Sequence, residues 1–232
     1  MMIANRRLCT FGALFLSLTI FSIAAFAQTT APPTAADKFF AHFDLGVSAF
    51  GEITPNTSGV NYLPQEVVLS PSTTVGALFE LRYTRSPHIG VTLNYGFSRY
   101  TNNYTFTDVA KTPSGALQYS FGVQAQAAEY SLGYVGHFGE FMGIHPFVGA
   151  GGGVMAFRPT PGGGSGVHVG ESRGLAYYAV GADIPIFGSE NFGARIQFRQ
   201  QFFGAPDFNQ NYLANGTRSS TIEPAFGFFL RF

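Results

Sequence analysis

The sequence predicts an all-β chain: an eight-stranded, antiparallel, up-and-down transmembrane β-barrel with long loops at one end and short turns at the other. Three observations carry that expectation. Segment after segment alternates apolar and polar residues with period two, as strands do when one face meets an apolar medium. The chain opens on an export leader, and beyond it no apolar run reaches the roughly 18 residues that a spanning helix needs. Charged residues make up 11% of the chain and aromatic residues 16%, whereas ordinary soluble domains carry about 25% charge. A soluble surface so poor in charge would aggregate, while lipid can cover the outside of a barrel.

The leader comes first. Arg6 and Arg7 precede an apolar run from Leu8 to Ala24, which ends in Ala25-Phe26-Ala27. A basic start, an apolar stretch and a small-x-small site make a signal peptide over residues 1–27, cleaved on the general secretory route. Cleavage removes Cys9, the single cysteine, so the mature chain of 205 residues (232 minus 27) has no disulfide. It also removes two arginines, leaving 11 basic against 13 acidic side chains, a net of −2. That balance offers no polyanion surface, and nucleic acid is not an expected partner. Residues 28–38 are a polar, Pro-containing linker, and the barrel is placed at 39–232.

The strands follow in order. In the first, at about 40–54, Phe43, Leu45, Val47, Ala49 and Ile53 share one face and His42, Asp44, Gly46, Ser48 and Glu52 the other. Turn residues at both ends of 55–72 and no sustained period predict a long loop there. The second strand, about 73–84, sets Val75, Ala77, Phe79, Leu81 and Tyr83 against Gly76, Glu80 and Arg82. After a short turn the third, about 89–100, sets Ile89, Val91, Leu93, Tyr95 and Phe97 against Gly90, Thr92, Asn94 and Ser98. A second long loop is expected over 101–117. The fourth strand, about 118–138, alternates clearly at its end, with Tyr130, Leu132, Tyr134 and Phe138 opposite Glu129, Ser131, Gly133 and His137. In the fifth, about 145–157, glycines blur the two faces, and loop 158–174 follows. The sixth, about 175–184, carries Asp183 on its polar side; the seventh, about 193–203, carries Arg195, Gln197, Arg199 and Gln201. Loop 204–219 leads to the last strand. Long and short connections alternate, as in a transmembrane barrel.

The last strand ends the chain on its apolar face. Ile222, Phe226, Phe228, Leu230 and Phe232 lie on one side and Glu223, Ala225, Gly227 and Arg231 on the other, with Phe229 the large apolar exception. This ending resembles the closing strand of Gram-negative outer-membrane barrels, and with the leader and loop rhythm the chain resembles the small OmpA-like and OmpX-like type. Arg195-Ile-Gln-Phe-Arg199, Ala205-Pro-Asp-Phe208 and Glu223-Pro-Ala-Phe-Gly227 also resemble the outer membrane protein beta-barrel domain family. The resemblance implies a monomer in the outer membrane, with extracellular long loops and periplasmic short turns. Its implied partners are outer-membrane lipid, lipopolysaccharide, periplasmic chaperones and the assembly machinery. Phe226, Phe228, Leu230 and Phe232 would then form the assembly signal. No peptidoglycan-binding domain follows the barrel, so a cell-wall tether is not expected.

Inside so narrow a barrel the charges must pack together. Asp44, Glu52, Glu80, Arg82, Glu129, Asp183, Arg195, Arg199, Glu223 and Arg231 are the expected interior network, six acids against four arginines. Buried charges need partners, so a plugged lumen and a structural or surface-interaction role are the expected reading. The alternatives are a narrow channel for small solutes and, further off, an envelope enzyme. No catalytic constellation assembles from the sequence. His42, His88, His137, His145 and His168 lack metal-ligand spacing, and Asp207 and His168 are rim residues by position alone. Gly149–Gly153 lacks the Gly-Lys-Ser/Thr of a phosphate loop. No cofactor is expected. A soluble lipid carrier would need an apolar interior, against the inward Glu and Arg.

Overall fold

The computed structural model describes residues 42–108, 118–161, 166–167 and 169–232. The expected leader and linker, and also His168 and the glycines at 162–164, lie outside these residues. The strands are β1 (Phe43–Glu52), β2 (Thr57–Val60), β3 (Gln65–Pro71), β4 (Thr74–Ser86), β5 (Ile89–Asp108), β6 (Gln118–His137), β7 (His145–Pro159), β8 (Glu171–Ile186), β9 (Ser189–Gly204) and β10 (Arg218–Arg231). Eight of them close a ring in the order β4-β1-β10-β9-β8-β7-β6-β5, and β5 returns to β4. All pairs are antiparallel, and first strand meets last at Asp44↔Arg231 through Phe50↔Ala225.

The alternation read from the sequence sets the two faces of this ring. Outward side chains form a belt of exposed apolar residues, among them Val47 (44%), Phe79 (43%), Leu93 (54%), Ile196 (48%) and Phe226 (53%). A continuous apolar surface of this kind is foreign to a water-facing protein and suits hydrocarbon. Phe79, Tyr95 and Tyr130 continue it around three strands, with ring centroids 6.1 and 5.3 Å apart. The inward residues of the same strands are buried and mostly polar, with a small apolar cluster of Phe50, Leu78 and Ala225 among them. Phe79→Arg, at the middle of the belt, is expected to cost about 2–4 kcal/mol in urea unfolding from vesicles. Leu230→Arg, one residue from the end of β10, is expected to cost less, because the penalty falls towards the interface.

At the long-loop end the structure departs from the expectation. Residues 55–72 and 101–108 are largely strand: β2 pairs with β3, and β3 pairs with the upper half of β5 from Pro71↔Asn102 to Gln65↔Asp108. The physical reason is an inversion of polarity. Up to Phe97 and Ser98, β5 points apolar residues out and polar ones in. Above them Arg99, Thr101 and Asn103 point outward, while Tyr100, Tyr104 and Phe106 are buried inside. β6 inverts at the same height, with Gln124 and Gln126 outside and Val123, Ala125 and Ala127 inside. The ring there stands in water, so apolar residues turn inward. They form a core of Val67, Leu69, Tyr104, Phe106, Met155, Phe157 and Phe203, joined by Phe208 and Leu213 of the β9–β10 connection. This core lies over the lumen as a cap.

Candidate functional site

Nine of the ten charged residues that the sequence placed inside the ring are buried, in two layers, and the tenth, Arg231, stands at the mouth. The lower layer, towards the short turns, joins three carboxylates to three guanidinium groups. Arg195 on β9 is fully buried; its Nε lies 2.7 Å from Asp183 Oδ1 on β8 and its Nη2 2.8 Å from Asp44 Oδ2 on β1. Glu80 Oε2 is 3.7 Å from Arg195 Nη1. Arg82 Nη2 donates to Glu80 Oε1 at 3.1 Å, and its Nη1 is 3.7 Å from Asp183. Arg231 stands at the mouth, a third exposed, 3.9 Å from Asp44 and 3.8 Å from Asp183. Gly46 makes room for this layer, since a Cβ there would come within 2.5 Å of Arg195 Nη1.

Phe229, the exception on the polar face of the last strand, belongs to this layer. Its ring is 1% exposed and lies between Arg195 and Arg231, 5.4 and 5.3 Å from their guanidinium carbons. Phe147 stands likewise against Arg82, at 4.0 Å. Aromatic faces attract such cations without adding a charge.

The upper layer sets three carboxylates around one guanidinium. Arg199 donates to Glu129 at 2.6 Å and to Glu223 at 3.0 Å, and its guanidinium carbon lies 5.0 Å from the ring centre of Tyr177. Gln201 Nε2 donates to the same two acids, at 2.7 and 3.0 Å, and Ser131 Oγ to Glu129. Glu52 is buried beside Ser98, and no arginine is ion-paired with it among the described residues. Neutral donors complete both layers, including Asn94 to Tyr177 at 2.8 Å in the upper and Gln197 to Glu80 at 2.7 Å in the lower. Their part was invisible in the sequence, where Asn and Gln inside a barrel read only as polar.

Little space remains between these groups. One cavity bounded by Glu80, Arg82, Asn94 and Tyr177 and another bounded by Glu52, Glu129 and Glu223 measure about 10 Å³ each, room for a single water. The short-turn end opens into a depression of about 290 Å³ lined by His42, Asp44, His137, His145 and Arg231. His145 Nε2 lies 3.3 Å from Glu190. Among the described residues no group of three or more His, Cys, Asp or Glu is placed to hold a metal.

Above the belt the β9–β10 connection is fastened over the cap. Arg173 Nη2 lies 2.7 Å from Glu171 and 2.6 Å from Asp207. The Asp207 amide donates to Glu171 at 2.8 Å, and Tyr104 OH donates to the Pro206 carbonyl at 2.7 Å. Burial holds the Glu171 carboxyl above its ordinary range and pushes the Tyr104 phenol upward as well. Asp207, a rim candidate in the sequence, is thus engaged in a structural clasp. Phe226, Phe228, Leu230 and Phe232 stand on the outer face of the last strand, and Phe228 stacks on Phe192 at 6.0 Å.

A closed antiparallel ring, apolar outside and charged within, defines a membrane-spanning up-and-down β-barrel. No protein-family model matches the chain, and no curated protein matches it. Among solved structures it is similar to Neisserial surface protein A, at 14% identity over 82% of this chain and 97% of that one, with a TM-score of 0.53. OprG of Pseudomonas aeruginosa aligns at 11% identity over 82% of this chain and 95% of that one, with a TM-score of 0.48. At such identity the likeness is one of fold. The chain has the fold of a small eight-stranded outer-membrane barrel.

Proposed function

We propose that this protein is an integral barrel of a Gram-negative-type outer membrane, with a plugged lumen and a structural or surface-interaction role carried by its loop end. The observation that supports it most is the double obstruction. Two layers of paired charges fill the lumen, and an apolar core lies across its loop end. Cavities inside it that hold a single water support an obstructed lumen. The role is non-enzymatic, in keeping with Asp207 being held by Arg173. On this reading the assembly machinery engages Phe226, Phe228, Leu230 and Phe232, and lipid surrounds the finished monomer.

Planar-bilayer recording of the refolded mature protein tests the plug. The wild type is expected to be silent. Glu80→Gln and Arg82→Gln, which unbalance the lower layer, are expected to flicker open. A steady conductance in the wild type would overturn the plugged reading in favour of the narrow channel.

A further inference from the structure

The height at which polarity inverts carries one further feature. Arg99 of β5, Gln126 of β6 and Arg158 of β7 are direct cross-strand neighbours: Arg99 pairs with Gln126, and Gln126 with Arg158. Both arginines point outward and are exposed. Two strand spacings put their Cα atoms about 10 Å apart, close enough for both side chains to serve one ligand. Among the described residues their one hydrogen-bond partner on the outer face is Gln124, 3.4 Å from Arg99 Nη2, and neither is ion-paired. Interior arginines of this protein are matched to carboxylates; these two are not.

The row directly beneath is Phe97, Ala128 and Ala156, and the next is Tyr95, Tyr130 and Val154. Two unmatched guanidinium groups therefore sit at the top of an uncharged wall, above a shelf of two alanines that lets a hydrocarbon chain approach the strands. The arrangement occupies one sector. Arg218, the exposed arginine of β10 at the same end, lies across the ring.

We propose that Arg99, Gln126 and Arg158 form a binding site for the phosphate of an outer-leaflet lipid, whose chains lie against the Ala128–Ala156 shelf. Planar guanidinium forks bind phosphate oxygens in pairs, and long basic side chains at the rim of an apolar belt reach headgroup depth. The inference rests on the membrane reading above, and its test separates the two. Protein refolded in nanodiscs is titrated with lipid A and with lipid A stripped of its phosphates, and the adducts are counted by native mass spectrometry.

The phosphorylated lipid is expected to be retained preferentially. Arg99→Gln and Arg158→Gln should each weaken it about fivefold, and the double variant roughly thirtyfold. Arg158→Lys should keep part of the preference, and Arg218→Gln should leave it unchanged. Equal retention of both lipids by well-folded protein would overturn the site and leave the membrane reading standing. Displacement by equimolar inorganic phosphate would overturn the lipid as its source, and failure to insert would strike the membrane reading itself.

Discussion

Arg195→Met is expected to remove about 3–5 kcal/mol of stability, the cost of breaking a buried ion cluster by deleting one partner. The guanidinium has no exposed surface, and it faces Asp44, Asp183 and Glu80 at once. Methionine fills much of the space but leaves three buried carboxylates sharing Arg82 and the half-open Arg231. The measurement is urea unfolding from lipid vesicles, followed by far-ultraviolet circular dichroism because the chain has no Trp. Adding Asp44→Asn and Asp183→Asn to the same chain should restore much of the loss, since neutral amides tolerate the site without a cation. A loss under 1 kcal/mol for Arg195→Met alone would show that the network is decorative.

Phe157→Ala is expected to cost about 3–5 kcal/mol by a different mechanism, the loss of a large side chain from a closed core. Phe157 is fully buried, with ring centroids 5.6 Å from Phe203 and 6.4 Å from Tyr100. Its environment is the cap, which stands in water, so the full hydrophobic effect operates there. A lipid-facing phenylalanine gains far less from its neighbours, because lipid tails are as apolar as they are. Phe208→Ala should distinguish cap from ring: it should expose the β9–β10 connection to protease while the barrel keeps its resistance to unfolding. If both variants unfold the ring to the same degree, cap and ring are a single cooperative unit.

The ring was legible because one rule, apolar out and polar in, held from Ile89 to Phe97 and from Ala194 to Phe198. The strands of the cap were missed because the rule reverses there. Thr101, Asn103, Thr105 and Thr107 alternate with Tyr100, Asn102, Tyr104 and Phe106 without a break in phase. Period two therefore continues past Phe97, and only the polarity of each face changes. Asn102, buried among the aromatics, further dulls the pattern. In the lumen the sequence named which residues face inward, because parity alone decides that. Which acid meets which arginine depends on registers between distant strands, and nothing local to Arg195 points to Asp44. Phe229 was an exception in the pattern until the cations on either side of its ring gave it a place.

The seam between first and last strand bears on the order of assembly. Asp44 and Arg231 face each other across it, separated by 187 positions (231 minus 44). Closing so long a loop is entropically slow, and until it closes Arg195 lacks Asp44. The open layer then holds Asp44 and Glu80 with Arg82 on one side, a surplus negative charge, and Asp183 with Arg195 and Arg231 on the other, a surplus positive charge, while β1 and β10 present bare backbone edges. Hydrocarbon rejects both. Zippering of the seam and burial in the bilayer are thus thermodynamically tied to one event, and a half-made sheet finds no resting place within the membrane.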